Sequence, residues 1–229
     1  MEIGAGLGSL TVALARCGAE VLAVEVDRGV AAALEEAVAS YPSVRVMVTD
    51  AVQADWPKLL GAGRWKMASN LPYNVVVPVI VDLLGRTSIT DYVVMVQREV
   101  GERLAAGPGD PAYGAVSVRI RYRAAAKVLR RVPPTVFWPE PQVESVLLRI
   151  TPHEPPVDVP PEQLFAVVDE GFAQRRKTMA GALVRLGLPR PSALNVLAAC
   201  GLDPRVRAEN LGIDDFACLA TSIEEARDG

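Results

Sequence analysis

Histidine is nearly missing from this chain of 229 residues: His153 is the only one. It lies in the proline-rich stretch TPHEPPVDVPP, where a histidine reads as a surface residue rather than a general base or a ligand. Chemistry that leans on an imidazole is therefore not expected. Cysteine is scarce as well. Cys17, Cys200 and Cys218 form no CxxC pair, which argues against a structural zinc site and for reduced thiols in a cytosolic protein. No long apolar run is present either. The longest, from Val75 to Leu84, is broken by Pro78 and Asp82 and is too short to cross a bilayer. The opening residues do not read as a signal peptide. No metal and no membrane partner are expected.

Apolar residues make up 50% of the chain, enough for a sizeable core. The net charge of −3 masks an uneven distribution. Residues 1–60 carry four basic and eight acidic side chains, whereas residues 98–131 carry eight basic and three acidic. Residues 173–199 add five basic side chains and no acid. Two basic zones inside an acidic chain point to a localised anionic partner.

The β-branched runs EVLAVEV (20–26) and VRVMVT (44–49) read as strands, with a helical RGVAAALEEAVASY between them. ITDYVVMVQ (89–97), AKVLRRV (126–132) and ESVLLRI (144–150) read as further strands. Strands separated by helices predict an α/β fold with a parallel, doubly wound sheet. The stretch 151–161 holds five prolines and reads as a linker. Beyond it only helical patterns follow. The expected division is a ligand-binding domain over 1–151 and a small all-helical domain over 152–229.

The opening EIGAGLGSLTVALA sets Gly4, Gly6 and Gly8 before a helical run, where glycine permits a tight turn and close approach of a ligand. Glu25 ends the next strand and can accept from ribose hydroxyls. Asp50 ends the third strand, where it can accept from an adenine amino group while the Ala51 N–H reaches a ring nitrogen. The spacing is GxGxG rather than the GxGxxG of dinucleotide sites, and Glu2 stands two residues before the first glycine. Acids near the loop suit a cationic sulfonium better than a pyrophosphate. S-adenosylmethionine is the expected cofactor, with Glu2, Gly4, Gly6, Glu25, Asp50, Ala51 and Asn70 around it.

NLPYN (70–74) carries the chemistry. An adenine amino nitrogen is a poor nucleophile because its lone pair is delocalised into the ring. The Asn70 side-chain oxygen and the Leu71 carbonyl can accept its two hydrogens and draw it toward a tetrahedral state. Pro72 stiffens that backbone, and Tyr73 can stack on the base for about 1–3 kcal/mol. This is positioning and electrostatics, with no strong base needed.

With these motifs in place, the chain resembles the small-subunit rRNA adenine dimethyltransferases of the KsgA type. EIGAGLGSLT, VEVDR, NLPYN, MVQREVGERLAAGPGDPAYGAVSV, PPTVFWPEPQVESVLLRI, FAQRRKT and RAENL are collinear and cover its length. The resemblance implies a class I methyltransferase sheet with a C-terminal helical domain. It implies dimethylation of two adjacent adenines near the 3′ end of small-subunit rRNA, in an immature ribosomal subunit. It also implies Phe137 as a second aromatic surface for the base, and Arg175, Arg176 and Lys177 as phosphate contacts. A cytoplasmic monomer is expected. The alternatives are a large-subunit rRNA adenine methyltransferase of the macrolide-resistance type and a non-catalytic RNA-binding assembly factor. The resemblance further implies an arm, a helix and most of a first strand before Gly4, where only Met1, Glu2 and Ile3 stand. The chain is thus expected to lack roughly forty upstream residues, to fold poorly alone and to bind S-adenosylmethionine weakly.

Overall fold

A computed structural model describes residues 1–72, 75–86 and 89–228, without the side chains of residues 86, 227 and 228. In chain order the elements are β1 (Glu2–Ile3), α1 (Ser9–Arg16), β2 (Val21–Glu25), α2 (Arg28–Val38), β3 (Val44–Val48), α3 (Trp56–Leu60), β4 (Trp65–Asn70) and α4 (Val76–Arg86). They continue with β5 (Ile89–Gln97), α5 (Arg98–Ala105), α6 (Ala115–Arg123), β6 (Ala124–Val132) and β7 (Ser145–Pro152). Four helices close the chain: α7 (Pro161–Ala173), α8 (Met179–Arg185), α9 (Arg190–Ala199) and α10 (Ile213–Asp228).

The strands form two ladders, β1-β2-β3 and β4-β5-β7-β6. Backbone bonds lay β1 beside β4: the Met1 amino group donates to the Lys66 carbonyl at 2.7 Å, and Ala68 N–H donates to the Met1 carbonyl at 3.0 Å. One sheet in the order β3-β2-β1-β4-β5-β7-β6 results. Its interior strands are apolar on both faces, as covered parallel strands must be; Val21, Leu22, Ala23 and Val24 are at most 3% exposed. The strand order reverses between β1 and β4, and such a switch point opens a crevice at the carboxyl ends of the strands.

The parallel sheet expected from the sequence is found from β3 to β5. At the far end β7 runs antiparallel to both β5 and β6, so the sheet is mixed. No α-helix separates β6 from β7, only a single 3-10 turn over Pro134–Val136 and a loop, and without a crossover helix to carry the chain across the sheet the next strand returns antiparallel.

The chain divides into two compact units. One comprises 1–101 and 124–152, the other 102–123 and 153–229. The expected boundary at 151/152 differs for residues 102–123, which join the helical unit. Long-range bonds draw them there: Tyr113 hydroxyl donates to the Leu211 carbonyl at 2.9 Å, and Arg119 makes a two-pronged pair with Asp169 at 2.7 Å. Tyr113 meets Phe172 edge to face, and Phe172 lies tilted against Phe216, in that unit's core beside Val118, Leu164, Leu183 and Leu197.

Cys200 and Cys218 are joined in a disulfide that ties the end of α9 to α10, with 5.9 Å between Cα atoms. The expectation of reduced thiols fails at these two positions; 18 residues separate them in sequence, and only the packing of two helices brings them together. Cys17 is free and exposed. Among the described residues no helix is long and apolar enough to cross a membrane, and no cluster of His, Cys, Asp or Glu is placed to hold a metal.

Candidate active site

A cavity of about 440 Å³ opens at the carboxyl ends of the parallel strands. Its wall includes Ile3 and Gly4 after β1, Glu25 and Val26 after β2, Thr49, Asp50 and Ala51 after β3, and Pro72 after β4. Five of the seven residues expected around the cofactor thus meet in one place: Gly4, Gly6, Glu25, Asp50 and Ala51.

The glycine loop is held by Gly4 N–H, which donates to the Val24 carbonyl at 2.8 Å. Gly4 has φ +71°, and a Cβ built on it would sit 2.9 Å from Pro72 Cδ. Only glycine lets this loop pass so close to the NLP segment. Gly6, at φ +56°, has nothing within 4 Å of where a Cβ would stand, so its bare backbone faces open space in the cavity.

Glu25 is the hinge of the site. Its Oε2 accepts from Gly6 N–H at 2.9 Å, and its Oε1 accepts from Val26 and Asp27 N–H at 2.9 and 3.1 Å. The carboxylate is therefore fixed before any ligand arrives, while a carboxylate's remaining lone pairs can still accept. Asp27 caps α2 by accepting from Gly29 and Val30 N–H at 2.7 and 2.9 Å. Asp50 Oδ1 accepts from Val52 N–H at 2.8 Å, and Oδ2 has no partner among the described residues.

Glu2 departs from expectation. It is 2% exposed and does not line the cavity; its Oε2 accepts from the buried Thr11 hydroxyl at 2.6 Å. β1 points this side chain beneath the loop, where it braces β1 against α1. Burial pushes its carboxyl up to about 7, against a smaller downward pull from the Thr11 bond. The folded state therefore holds a proton that the unfolded chain releases near pH 4.5. Stability should fall as pH rises from about 4.5 to 7 and level off above. Glu2→Gln keeps the acceptor for Thr11 and removes the titration. It should flatten that stretch of the melting temperature against pH profile and raise stability at pH 8 by a few kcal/mol.

A second cleft, about 290 Å³, is lined by Asn70, Leu71, Pro72, Phe137, Trp138, Pro139 and Pro141. Asn70 ends β4 in register with Met95 of β5, and Leu71 N–H donates to the Met95 carbonyl at 3.2 Å. Leu71 buries its side chain in the core at 1% exposure, which anchors the backbone, while the Asn70 amide is exposed and has no hydrogen-bond partner among the described residues. Phe137, half-buried, reaches the same cleft from the loop after β6. Pro72 lines both cavities, so the two adjoin there. Tyr73 lies outside the described residues.

The sequence matches the ribosomal RNA adenine dimethylase family over residues 1–225. The chain belongs to that family. Among relatives of this dimethylase chain, a protein of Moorella thermoacetica named ribosomal RNA small subunit methyltransferase A is 42% identical, the match covering 98% of this chain and 82% of the relative. A protein of the same name from Thermobifida fusca is 45% identical, over 96% and 78%. The fold of a dimethyladenosine transferase from Plasmodium falciparum superposes with a TM-score of 0.83 at 23% identity, covering 99% of this chain and 90% of that one. The 23S rRNA methyltransferase ErmE follows at a TM-score of 0.72 and 20% identity, over 97% and 89%.

Several lining residues of the dimethylase cavity escape sequence reasoning. Ile3, Val26, Val30 and Thr49 wall it, and Val26 is 64% exposed. The available signal is position: an apolar residue directly after a strand-ending acid, with no core to serve, can only face a ligand or solvent. The basic zones also sort themselves. Arg98 pairs with Glu144, and Arg185 with Glu170. Arg175 donates to the Pro111 and Tyr113 carbonyls at 3.2 and 2.9 Å, so it staples its own unit together. Arg176 and Lys177 are exposed and enter no ion pair among the described residues.

Proposed function

We propose that this protein transfers methyl groups from S-adenosylmethionine to the exocyclic amino groups of two adjacent adenines near the 3′ end of small-subunit rRNA, acting as a cytoplasmic monomer on an immature ribosomal subunit. One observation carries the reading: the Asn70–Pro72 cleft adjoins the Glu25–Asp50 cavity across a single residue, Pro72, in a chain of the dimethylase family.

The cavity suits this cofactor. Its wall carries two carboxylates and no lysine or arginine. A dinucleotide's pyrophosphate would face like charge there with nothing to balance it, whereas a sulfonium would be attracted. Glu25 would hold the ribose and Asp50 with Ala51 the adenine, and Val26 offers an apolar face to the ring. When bound, the cofactor supplies an electrophilic methyl group. The protein's own part is to present the nucleophile. Asn70 Oδ1 and the Leu71 carbonyl accept the two amino hydrogens, so the nitrogen lone pair is released from the ring. Phe137 and Tyr73 offer ring faces to the base extruded from its stack. No proton need be taken by a strong base.

Arg176 and Lys177 serve as phosphate contacts, Arg175 as a structural one. Replacing Arg176 and Lys177 with glutamine should make the dependence of log K on log salt shallower by about 1.4, at about 0.7 per contact on single strands. Arg175→Gln should instead lower the melting temperature and leave the slope alone. A steeper loss of slope in the Arg175 variant would reverse the assignment.

The test of the function is a three-way incubation with labelled cofactor: immature small subunits, naked large-subunit rRNA, and no RNA with cofactor binding followed by calorimetry. Label on small subunits alone is expected. Label on large-subunit rRNA would favour the macrolide-resistance type, and absence of cofactor binding would favour a non-catalytic assembly factor.

A further inference from the structure

Two features beside the base cleft have no use in the chemistry above. The first is Trp138, which is 98% exposed although an indole is the largest apolar face a chain can offer. It lines the same cleft as Asn70, Leu71, Pro72 and Phe137. The other two tryptophans are used internally: Trp56 is 1% exposed, and the Trp65 indole donates to the Leu60 carbonyl at 2.9 Å.

The second feature is β6, the outer strand of the sheet. Its ladder to β7 slips between Val128 and Arg130, which leaves Leu129 48% exposed. Lys127, Arg130 and Arg131 are exposed and enter no ion pair among the described residues. The register places them. Asn70 pairs with Met95, Met95 with Leu147, and Leu147 with Arg130, so Arg130 lies in the same cross-strand row as the catalytic amide. Three strand spacings separate the two, about 14 Å. Because β6 runs parallel to β5, its carboxyl end lies at the same edge of the sheet as Asn70, and the chain passes from Arg131 through Phe137 to Trp138.

We propose that Trp138 and the Arg130–Arg131 pair form a platform for single-stranded RNA flanking the target adenine. Trp138 stacks on a neighbouring base, and the two guanidiniums hold backbone phosphates. The platform rests on the reading of the substrate as rRNA. It holds the strand so that one target adenine at a time enters between Phe137 and Asn70. An exposed tryptophan and edge-strand arginines suit single strands because stacking tolerates any base and charge tracks any backbone. Trp138 is a positioning residue, since it touches a neighbour of the reacting base.

The test measures affinity for a short, unstructured, adenine-containing RNA. Trp138→Ala should weaken binding about tenfold, within the range for one lost stack, with no change in the salt slope. Trp138→Phe should restore most of the affinity. Arg130→Gln/Arg131→Gln should make the salt slope shallower by about 1.4. With small subunits as substrate, both changes should raise KM and leave kcat within a few-fold. Because Trp138 makes no internal packing, the folded state should be undisturbed, and an unchanged melt checks this. Full affinity in Trp138→Ala would overturn the proposal. An unchanged slope in the arginine pair would do the same, returning those residues to protecting a sheet edge. Failure of the unsubstituted protein to methylate any rRNA would instead overturn the function proposed above, because these binding measurements do not depend on transfer.

Discussion

Asn70→Ala should lower the rate of methyl transfer by about 10²–10³, the loss that follows removal of one preorganised polar group from a reacting centre. Binding of cofactor and of RNA should stay within a few-fold. The reason lies in how the residue is mounted. Its backbone is fixed by the β4–β5 register and by the Leu71 N–H bond to Met95, and Leu71 is buried at 1% exposure. None of that depends on the Asn70 side chain, which has no partner among the described residues. Truncation therefore removes one acceptor from the amino group and leaves the Leu71 carbonyl in place. Single-turnover rates at saturating cofactor and subunit measure the chemical step directly. Near-normal turnover would show that the amide does not activate the nucleophile.

Glu25→Ala should be the most damaging change in the cofactor cavity, and through two separate losses. The first is structural. Three backbone N–H groups, of Gly6, Val26 and Asp27, lose their acceptor at once. An unsatisfied buried group costs about 1–3 kcal/mol, and these are partly reached by water, so a total of about 2–3 kcal/mol is expected. For a chain of this size the melting temperature should drop by about 5–10 °C. The second loss is the ligand's own. A charged acceptor facing hydroxyls contributes about 1.5–3 kcal/mol per bond, so cofactor affinity should weaken at least a hundredfold. Glu25→Gln separates the two, since it keeps one acceptor oxygen but sets an amide N–H against backbone donors. Its melting temperature should fall between the others. Calorimetric titration and thermal melts on the two variants check both arms.

The wall of the cavity at the strand ends was legible because its residues announce themselves locally. Gly4 and Gly6 take conformations that only glycine adopts cheaply, and Glu25 and Asp50 each close a β-branched run. The second cleft was legible in part: NLP follows a strand with an amide no core would want, and Phe137 came only through the family resemblance. What escaped depended on distant partners. Glu2 looked like a ligand residue by position, but Thr11 on the facing helix turns it into a buried brace. Residues 102–123 belong with the helices through Tyr113 and Arg119, whose partners lie 98 and 50 residues away. Arg175 read as one of three equal cations, and only the fold supplies the carbonyls that claim it. The antiparallel return of β7 follows from a loop with no crossover α-helix in it, and the disulfide from the packing of α9 on α10.

The central claim is that Asn70 and Leu71 present an adenine amino group to a methyl donor held by Glu25 and Asp50. The most direct measurement is product analysis. Small subunits lacking this modification are incubated with the protein and S-adenosylmethionine, and the rRNA is digested to nucleosides and short fragments for mass spectrometry. The account predicts N6,N6-dimethyladenosine at two adjacent positions near the 3′ end, formed about 10²–10³ times more slowly by Asn70→Ala. Methyl groups on a ring carbon, on a ribose oxygen or on any base other than adenine would contradict it.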